Sequence, residues 1–348
     1  MLLSLISGAL PLRCLRPVAT AVQALLITLC LAMVACERSP ATGPASSTKR
    51  DTVILTTTAQ IADAVRGVLG SPLPPGVTVS SLLGEGVDPH TYKLTRSDAV
   101  ALHSASVVLL SGLHLEGKMT EMLAELQRSG KPVLDVGSML PHKDLLVPVG
   151  SQGEHDPHFW MDPILFASGT AAIEQGLKTA GVAIDPAKAA AYRDQLTALD
   201  GWAQSSLGSI PKASRRLITS HDAFGYLGHR YGLKVEGIQG ISTESEAGVR
   251  DIERLVDALV TSKIPAVFVE SSVSSRAINA LVAGAEARGH TVVIGGELFS
   301  DAMGPPGTYQ GTYIGMMRHN VESITRALGG VIAAWPAGLP AATTGGTP

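Results

Sequence analysis

The sequence predicts an α/β protein with two lobes, each built on parallel strands, joined by a single long backbone helix. Short β-branched or apolar runs alternate with segments whose apolar residues recur every three or four positions. Strands and helices in alternation favour parallel sheets that are covered by helices. The alternation occurs once before residue 145 and again after residue 215. We therefore assign residues 52–184 to a first lobe and residues 211–336 to a second.

Eight strands and five helices make up this alternation. The predicted strands are Thr52–Thr56, Val77–Leu82, Val107–Ser111, Val133–Asp135, Arg216–Thr219, Lys234–Gly237, Ala266–Glu270 and Thr291–Ile294. The predicted helices are Ala59–Val68, Arg96–His103, Met119–Ser129, Val249–Thr261 and Ser274–Arg288. Four strands fall in each lobe, which is enough for one small sheet per lobe.

A long helix over residues 185–210 is predicted between the lobes. Asp185 stands where an N-cap is favoured, and Pro211 ends the pattern. Gly201 weakens the helix by roughly 1 kcal/mol relative to Ala. The apolar positions at helical spacing are Tyr192, Leu196, Leu199, Ala203 and Leu207. Because one helix is a stiffer connection than several extended strands, we expect small movements between the lobes.

The amino terminus resembles a bacterial lipoprotein signal. Residues 1–35 contain no Asp or Glu, and two arginines precede an apolar run over Val18–Ala35. Small residues end this run just before Cys36, which predicts a secretory signal after which Cys36 is lipidated and becomes the first mature residue. The run of 18 residues is just long enough to span a bilayer, so an uncleaved anchor is the alternative. Both interpretations place the domain outside the cytoplasm, in the periplasm or at the cell surface, held to a membrane.

Composition sets further limits. Residues 36–51 predict a flexible tether and residues 337–348 a disordered tail, because Pro, Gly, Ser and Thr are abundant in both.

All three cysteines lie in the leader or at its end, so the lobes contain neither a disulfide nor a thiolate metal site. The net charge is −3 and no basic stripe indicates nucleic-acid binding. Any metal site must therefore use nitrogen and oxygen ligands.

The tripeptide Asp-Pro-His occurs twice, ending at His90 and at His158, and an aromatic residue follows each within two positions. Proline restricts the preceding Asp to extended geometry and stops any helix, so each histidine lies on a fixed loop. Two further loops carry His221 and Asp301. Three neutral imidazoles and one carboxylate suit a tetrahedral Zn²⁺ ion, and they also accept Mn²⁺ or Fe²⁺ with looser geometry. The alternative is that each Asp-Pro-His is only a turn whose histidine faces water.

Three of these candidates, His90, His221 and Asp301, come at or soon after the end of a predicted strand. In open α/β sheets, ligands bind outside the carboxyl ends of the strands. Two candidates come from each lobe. The order of elements therefore predicts a metal ion held in the cleft between the lobes.

The motifs resemble, in order, those of the zinc/manganese-binding proteins of bacterial ABC importers, specifically the TroA-like branch of cluster A-I. They are Gly86–Tyr92, Asp156–Pro163, Ser220–Tyr226 and Gly295–Gly304, with further counterparts at Gly240–Thr243 and Val267–Ser272. The resemblance extends from Thr52 to Ala334. It implies an extracytoplasmic solute-binding protein that captures Zn²⁺ or Mn²⁺ and delivers it to an ABC permease in the inner membrane. It also implies metal-ligand roles for His90, His158, His221 and Asp301.

Two features of the motifs bear on the metal. Manganese-selective members of the family tend to carry Glu where this chain has His221. Three imidazoles with one carboxylate favour zinc over manganese. Dedicated zinc importers often insert a long loop rich in histidine before the second motif, whereas only Pro148–His155 stands there in this chain. A protein that accepts both Zn²⁺ and Mn²⁺ therefore remains open, with Fe²⁺ a weaker candidate.

Four further carboxylates are candidates for orienting the ligands without touching the metal. Asp156 and Asp162 flank the second motif, and Glu270 and Glu297 lie at or near strand ends. Turn or helix-cap roles are the alternative for both aspartates.

Two rival functions come from other classes. A zinc hydrolase needs a water at the metal and an acid such as Glu297 as base, but four protein ligands close the site, and no His-Glu-x-x-His motif occurs. The sequence therefore predicts no enzyme activity. A lipid-anchored adhesin is the second rival, and it is compatible with metal binding as an additional role. We expect a monomer.

Overall fold

The first lobe is built on a four-stranded parallel sheet. The computed structural model describes residues 51–148, 151 and 153–341. The strands are β1 (Thr52–Thr56), β2 (Val77–Ser81), β3 (Val107–Leu110) and β4 (Val133–Asp135), in the spatial order β2-β1-β3-β4. The helices that alternate with them are α1 (Ala59–Leu69), α2 (Arg96–Ser104) and α3 (Thr120–Arg128). A fourth helix, α4 (Pro163–Thr179), follows the sheet and completes the lobe.

The second lobe repeats the pattern with two parallel pairs of strands. They are β5 (Arg216–His221) beside β6 (Lys234–Gln239), and β7 (Ala266–Glu270) beside β8 (Val293–Leu298). Strands β5 and β7 are in contact, so the pairs lie next to each other. The helices are α6 (Gly225–Tyr231), α7 (Val249–Ser262), α8 (Arg276–Glu286) and α9 (Tyr313–Ala327). The predicted fold class, α/β with parallel sheets in two lobes, is confirmed.

Burial explains why the strands are recognisable in the sequence. In β3, three successive apolar residues from Val107 are buried, as expected of an inner parallel strand covered on both faces. Edge strand β2 instead alternates between half-buried and exposed positions and carries two serines. Apolar runs therefore identify the inner strands, and alternation identifies the edge strand β2.

The linking helix α5 (Pro186–Gly208) connects the lobes. The Asp185 carboxylate accepts a hydrogen bond of 2.9 Å from the backbone NH of Ala187, as the N-cap prediction requires. The five apolar positions named from the sequence are all buried along this helix. They contribute to one continuous core that includes residues from both lobes.

Three helices were not predicted from apolar spacing: α4, α6 and α9. The buried positions of helix α4 lie on one face, but they include Gly169, Thr170 and Gly176, so its sequence shows no clear apolar pattern. A side chain at Gly176 would meet Leu134 at 2.6 Å, so close packing on β4 selects glycine there. Helix α6 has only seven residues, which is too short for a periodic pattern.

The strand ends also differ from prediction by a few residues. Strand β5 runs through His221 instead of ending at Thr219, and β8 covers Val293–Leu298 instead of Thr291–Ile294. Such shifts are expected, because the last residues of a strand are fixed by pairing with its neighbour and not by their own side chains.

The structure tests the predictions for the two ends of the chain only in part. Leu339 is buried in the core, and the Pro340 carbonyl accepts hydrogen bonds from Tyr309 and Trp335, so this part of the predicted tail packs on the second lobe. The predicted signal sequence, the lipidation site at Cys36 and nearly all of the tether lie outside the described residues, as do residues 342–348. Among the described residues, no helix has both the length and the apolar character needed to cross a membrane.

Two glycine positions should respond oppositely to the same substitution. A Cβ at Gly201, on the exposed side of α5, meets no described atom within 4 Å, so Gly201→Ala should raise the free energy of unfolding by about 0.5–1 kcal/mol. A Cβ at Gly67 would lie 2.4 Å from the ring of buried Tyr192, so Gly67→Ala should lower it by about 1–3 kcal/mol. Urea denaturation followed by circular dichroism measures both. Equal effects of the two substitutions would contradict the packing of α1 on α5.

Candidate metal centre

The four predicted ligands meet in one buried cluster. His90, His158, His221 and Asp301 each offer one nitrogen or oxygen atom, and these atoms all lie within 4.8 Å of one another. The side chains of His158, His221 and Asp301 are completely enclosed, whereas that of His90 keeps 4% of its surface exposed. The cluster therefore lies beneath the surface, and His90 is the member nearest to solvent.

The repeated tripeptide forms the same local structure at both positions. The Asp88 carboxylate accepts a hydrogen bond of 2.8 Å from the backbone NH of His90. Asp156 does the same for His158 at 2.9 Å. Proline between the two residues fixes the turn, and the aspartate side chain closes it. Each Asp-Pro-His thus presents an imidazole from a rigid turn, as the sequence predicts.

The second lobe supplies its two members from strand ends. His221 is the last residue of β5, and Asp301 comes three positions after β8 ends. Parallel strands end at a common edge, so both side chains reach the same place. A Cβ at Gly237 of β6 would meet the carbonyl carbon of His221 at 2.5 Å, so the close approach of β6 at this point requires glycine.

All three imidazoles direct Nε2 toward the same point. His158 Nε2 lies 3.2 Å from Asp301 Oδ1, and His221 Nε2 lies 3.2 Å from Asp301 Oδ2. His90 Nε2 lies 3.4 Å from His158 Nε2 and 3.8 Å from Asp301 Oδ2. Atoms that bind Zn²⁺ at about 2 Å in a tetrahedron stand about 3.3 Å apart. The spacing therefore matches a single ion held by four side chains.

Two of the four predicted orienting carboxylates contact these imidazoles on the far side. Asp156 Oδ1 lies 2.7 Å from Nδ1 of His158. Glu270 Oε2 lies 2.5 Å from Nδ1 of His221, and Glu270 Oε1 accepts a hydrogen bond of 2.8 Å from the His221 backbone NH. A carboxylate at Nδ1 fixes the ring orientation and leaves Nε2 facing the cluster.

The other two candidates, Asp162 and Glu297, have different surroundings. Asp162 is the N-cap of α4, accepting from the backbone NH of Ile164 at 2.8 Å, and it also pairs with Arg230 at 3.3 Å. Glu297 is exposed, and its backbone carbonyl accepts from His319. Among the described contacts, neither carboxylate touches a residue of the cluster. The helix-cap alternative is therefore the structural role of Asp162.

Residues that hold the Asp301 loop were not found from the sequence. The Ser300 carbonyl accepts hydrogen bonds from Trp160 Nε1 at 3.0 Å and from Gln60 Nε2 at 3.2 Å. Both donors belong to the first lobe, so the second lobe's carboxylate is fixed against it. The one feature of the sequence that could have identified these residues is that Trp160 lies only two positions after His158.

Several ionisable groups lie close together in the cluster, shielded from bulk solvent, and they shift one another's pKa values. Burial alone would lower the pKa of His158, but the carboxylates of Asp156 and Asp301 outweigh it and raise the pKa to about 9. Burial is likewise outweighed at His221, where Glu270 and Asp301 raise the pKa well above its ordinary value. For Asp301, burial favours the neutral acid, but the neighbouring His221 and His158 hold the pKa well below its usual range. Burial lowers the pKa of His90 to about 4, so this imidazole is neutral.

Asp301 lacks the hydrogen bonds that a buried carboxylate normally makes. Its contacts with the imidazoles do not have hydrogen-bond angles, and neither oxygen has a hydrogen-bond partner among the described residues. Buried ionised groups without hydrogen bonds are strongly disfavoured unless a counter-charge is present. The arrangement is therefore suited to a cation at the point where the three Nε2 atoms and the carboxylate converge.

Comparisons with known proteins point the same way. A family model described as "ZnuA: Zinc-uptake complex component A periplasmic" matches residues 54–327. The manganese-binding lipoprotein MntA of Bacillus subtilis is 47% identical over 278 residues, which are 79% of this chain and 89% of that protein. The zinc-binding protein TroA of Treponema pallidum is 40% identical over 283 residues, which are 79% and 88% of the two chains. A solved structure of periplasmic TroA aligns with a TM-score of 0.72 and 38% identity, covering 80% of this chain and 99% of that one.

The role of Asp156 can be tested without metal. Asp156→Asn removes the carboxylate at Nδ1, so the pKa of His158 should fall from about 9 toward its ordinary value of 6.5. Titration of the imidazole chemical shifts by NMR in metal-free protein measures this change. Asp88→Asn is the matched control, because Asp88 occupies the same place in the other tripeptide but accepts hydrogen bonds only from the His90 backbone and from the hydroxyls of Thr91 and Thr243, and not from an imidazole ring. An unchanged His158 pKa in Asp156→Asn would contradict the electrostatic interpretation.

Proposed function

The chain belongs to the family of periplasmic components of zinc-uptake complexes, and from that premise we propose that it captures Zn²⁺ or Mn²⁺ outside the cytoplasm and delivers it to an ABC-type importer. Members of this family bind solutes for metal transport and are not enzymes. Capture and handover break no covalent bond. The task of the protein is thus to hold the ion reversibly.

The observation that carries the proposal is the carboxylate of Asp301, buried without hydrogen-bond partners and faced by three imidazole nitrogens. We assign His90, His158, His221 and Asp301 as the metal ligands, with Asp156 and Glu270 orienting two of the rings. A site closed by four protein ligands leaves no coordination position for a reactive water. The geometry therefore favours a carrier over a hydrolase.

The choice of metal follows from two opposing features. The spacing of the four ligand atoms fits tetrahedral Zn²⁺, and three imidazoles bind zinc more tightly than manganese by the Irving–Williams order. However, one carboxylate oxygen of Asp301 lies near His158 and the other lies near His221. Both oxygens would therefore face the ion, and the second would provide a fifth ligand atom. More oxygen ligands suit Mn²⁺. We propose that zinc binds more tightly and that manganese is also accepted, with Fe²⁺ a weaker candidate.

The location and partners complete the proposal. The relative from Bacillus subtilis is named a lipoprotein, which supports a lipid anchor at Cys36 and a position in the periplasm or at the cell surface. The protein would act as a monomer that docks on a permease in the membrane.

Loss of Asp301 should abolish stoichiometric metal binding. The purified protein should contain about one equivalent of metal. Asp301→Ala should contain much less, because the three imidazoles lose the only charged ligand. Glu297→Ala is the matched control, since Glu297 is an exposed carboxylate outside the cluster. Elemental analysis measures the content, and competition between Zn²⁺ and Mn²⁺ measures the preference. Absence of metal in the wild-type protein, even after reloading, would overturn the proposal.

Metal affinity should weaken as the pH falls. The pKa of His158 is raised to about 9 and that of His221 is raised well above its ordinary value by Glu270 and Asp301, so a metal ion must displace a proton from His158 at neutral pH. The apparent association constant should therefore rise at least about tenfold per pH unit between pH 6 and pH 8. Competition with a chelator of known pH dependence measures the slope. Asp156→Asn should flatten the slope above about pH 7, because the pKa of His158 then falls toward 6.5 and this ring has already lost its proton there. An affinity independent of pH would rule out histidine ligation.

A further inference from the structure

The four proposed ligands are not held equally. The rings of His158 and His221 are each fixed by a carboxylate at Nδ1, and Asp301 follows a carbonyl pinned by two side chains of the first lobe. His90 has no carboxylate at Nδ1 among the described contacts. Its side chain is also the only one of the four with exposed surface. The cluster therefore meets the outside at its least restrained member.

A hydrogen bond between the lobes holds the turn that carries His90. Asp88 Oδ1 accepts from the His90 backbone, and Asp88 Oδ2 accepts from the hydroxyl of Thr91 at 2.9 Å within the same turn. The same Oδ2 atom accepts a hydrogen bond of 2.6 Å from the hydroxyl of Thr243. Thr243 belongs to the second lobe, 155 positions away in sequence. One carboxylate thus joins the His90 turn to the opposite lobe.

A second contact lies beside the first. Lys118 Nζ of the first lobe is 2.7 Å from Glu244 Oε1, and both side chains are about half exposed. The preceding residue, Gly117, lies beside both groups: a Cβ there would stand 3.3 Å from the His90 carbonyl oxygen, which is a tight contact, and 3.6 Å from Glu244 Oε1, which is an ordinary one. The two contacts therefore join the lobes on the same side of the cluster, next to His90.

Thr243 and Glu244 lie on the loop of residues 240–248 between β6 and α7, which we call the mouth loop. Most of its residues are exposed, and none is buried. Its local hydrogen bonds are few, including Glu244 NH to the Ser242 hydroxyl at 3.3 Å and Gln239 to the Ser245 carbonyl at 3.1 Å. Segments with little buried surface open at low free-energy cost. Apart from Ala247, which packs against the hydrophobic cluster of the second lobe, the mouth loop can therefore move without exposing buried apolar residues.

We propose that the hydrogen bond from Thr243 to Asp88 is a latch that sets the rate at which metal leaves past His90, with the Lys118–Glu244 ion pair as a weaker support. The inference rests on the proposed function, because it requires a metal ion at the four ligands. When the latch opens, the His90 turn loses its link to the second lobe and the ion loses its outermost ligand. The other three ligands keep their restraints, so exchange starts at His90.

The test uses two valine substitutions that remove hydroxyl donors to the same oxygen. Thr243→Val deletes the bond between the lobes, and Thr91→Val deletes the bond within the turn. The probe is Zn²⁺ alone, loaded to one equivalent and withdrawn by excess chelator in a stopped-flow experiment. We expect Thr243→Val to raise the dissociation rate about tenfold, since a hydrogen bond to a charged acceptor is lost. Thr91→Val should raise it less than about threefold.

Further measurements distinguish a latch from general destabilisation of the protein. Lys118→Met should raise the dissociation rate only about twofold, because an exposed ion pair is weak. Melting temperatures of metal-free Thr243→Val and Thr91→Val should agree, because each substitution removes one hydroxyl from the same carboxylate. A dissociation rate in Thr243→Val equal to that of the wild type, or an equal rise in Thr91→Val, overturns the latch while leaving metal capture intact. Failure of the wild-type protein to bind Zn²⁺ overturns the proposed function and the latch together.

Discussion

The site depends on one constraint, which is that the ionised carboxylate of Asp301 is held out of contact with bulk solvent. Burial of an isolated charge is strongly unfavourable, and it is tolerated only beside opposite charge. The imidazoles of His158 and His221 provide that charge when protonated, and their own raised pKa values follow from the same proximity. Protons and a divalent cation therefore compete for one arrangement of side chains. On the proposed assignment, the four ligands would need little rearrangement when the ion replaces the protons.

The fold maintains this arrangement by tying the two lobes together behind the cluster. The carbonyl of Ser300 accepts from Trp160 and Gln60, and the Trp160 carbonyl in turn accepts from the hydroxyl of Tyr313 at 2.7 Å. Asp63 of α1 accepts hydrogen bonds from the backbone of Tyr313, at the start of α9, and from a tyrosine hydroxyl of the linking helix. Three elements thus meet at one carboxylate. Wide separation of the lobes would break the bonds of Ser300 with Trp160 and Gln60 and those of Tyr313 with Trp160 and Asp63, so large movements between the lobes are disfavoured.

Much of the fold and the four central side chains could be predicted because the deciding information is local. Inner parallel strands appear as apolar runs, and the proline of each Asp-Pro-His fixes a turn whatever the remainder of the chain does. The contacts that complete the site are not local. Gln60 and Ser300 are 240 positions apart, and Thr243 lies 155 positions from Asp88, so no spacing rule connects them. The same limit explains why Asp162 and Glu270 could not be distinguished by sequence, since one caps a helix and the other faces a ring only after folding.

The difference between the inner histidines and His90 also gives an order to capture. The carboxylates at Nδ1 that orient His158 and His221 also raise their pKa values, so these rings must lose protons before they can bind. His90 has no such carboxylate, and burial lowers its pKa to about 4, so its imidazole is already neutral and is nearest to solvent. On the proposed assignment, an arriving cation would therefore meet first the one ligand that needs no deprotonation. Its charge then favours release of the protons further inside. The positions of Asp156 and Glu270 thus explain both why the rings of His158 and His221 are restrained and why the ring of His90 is not.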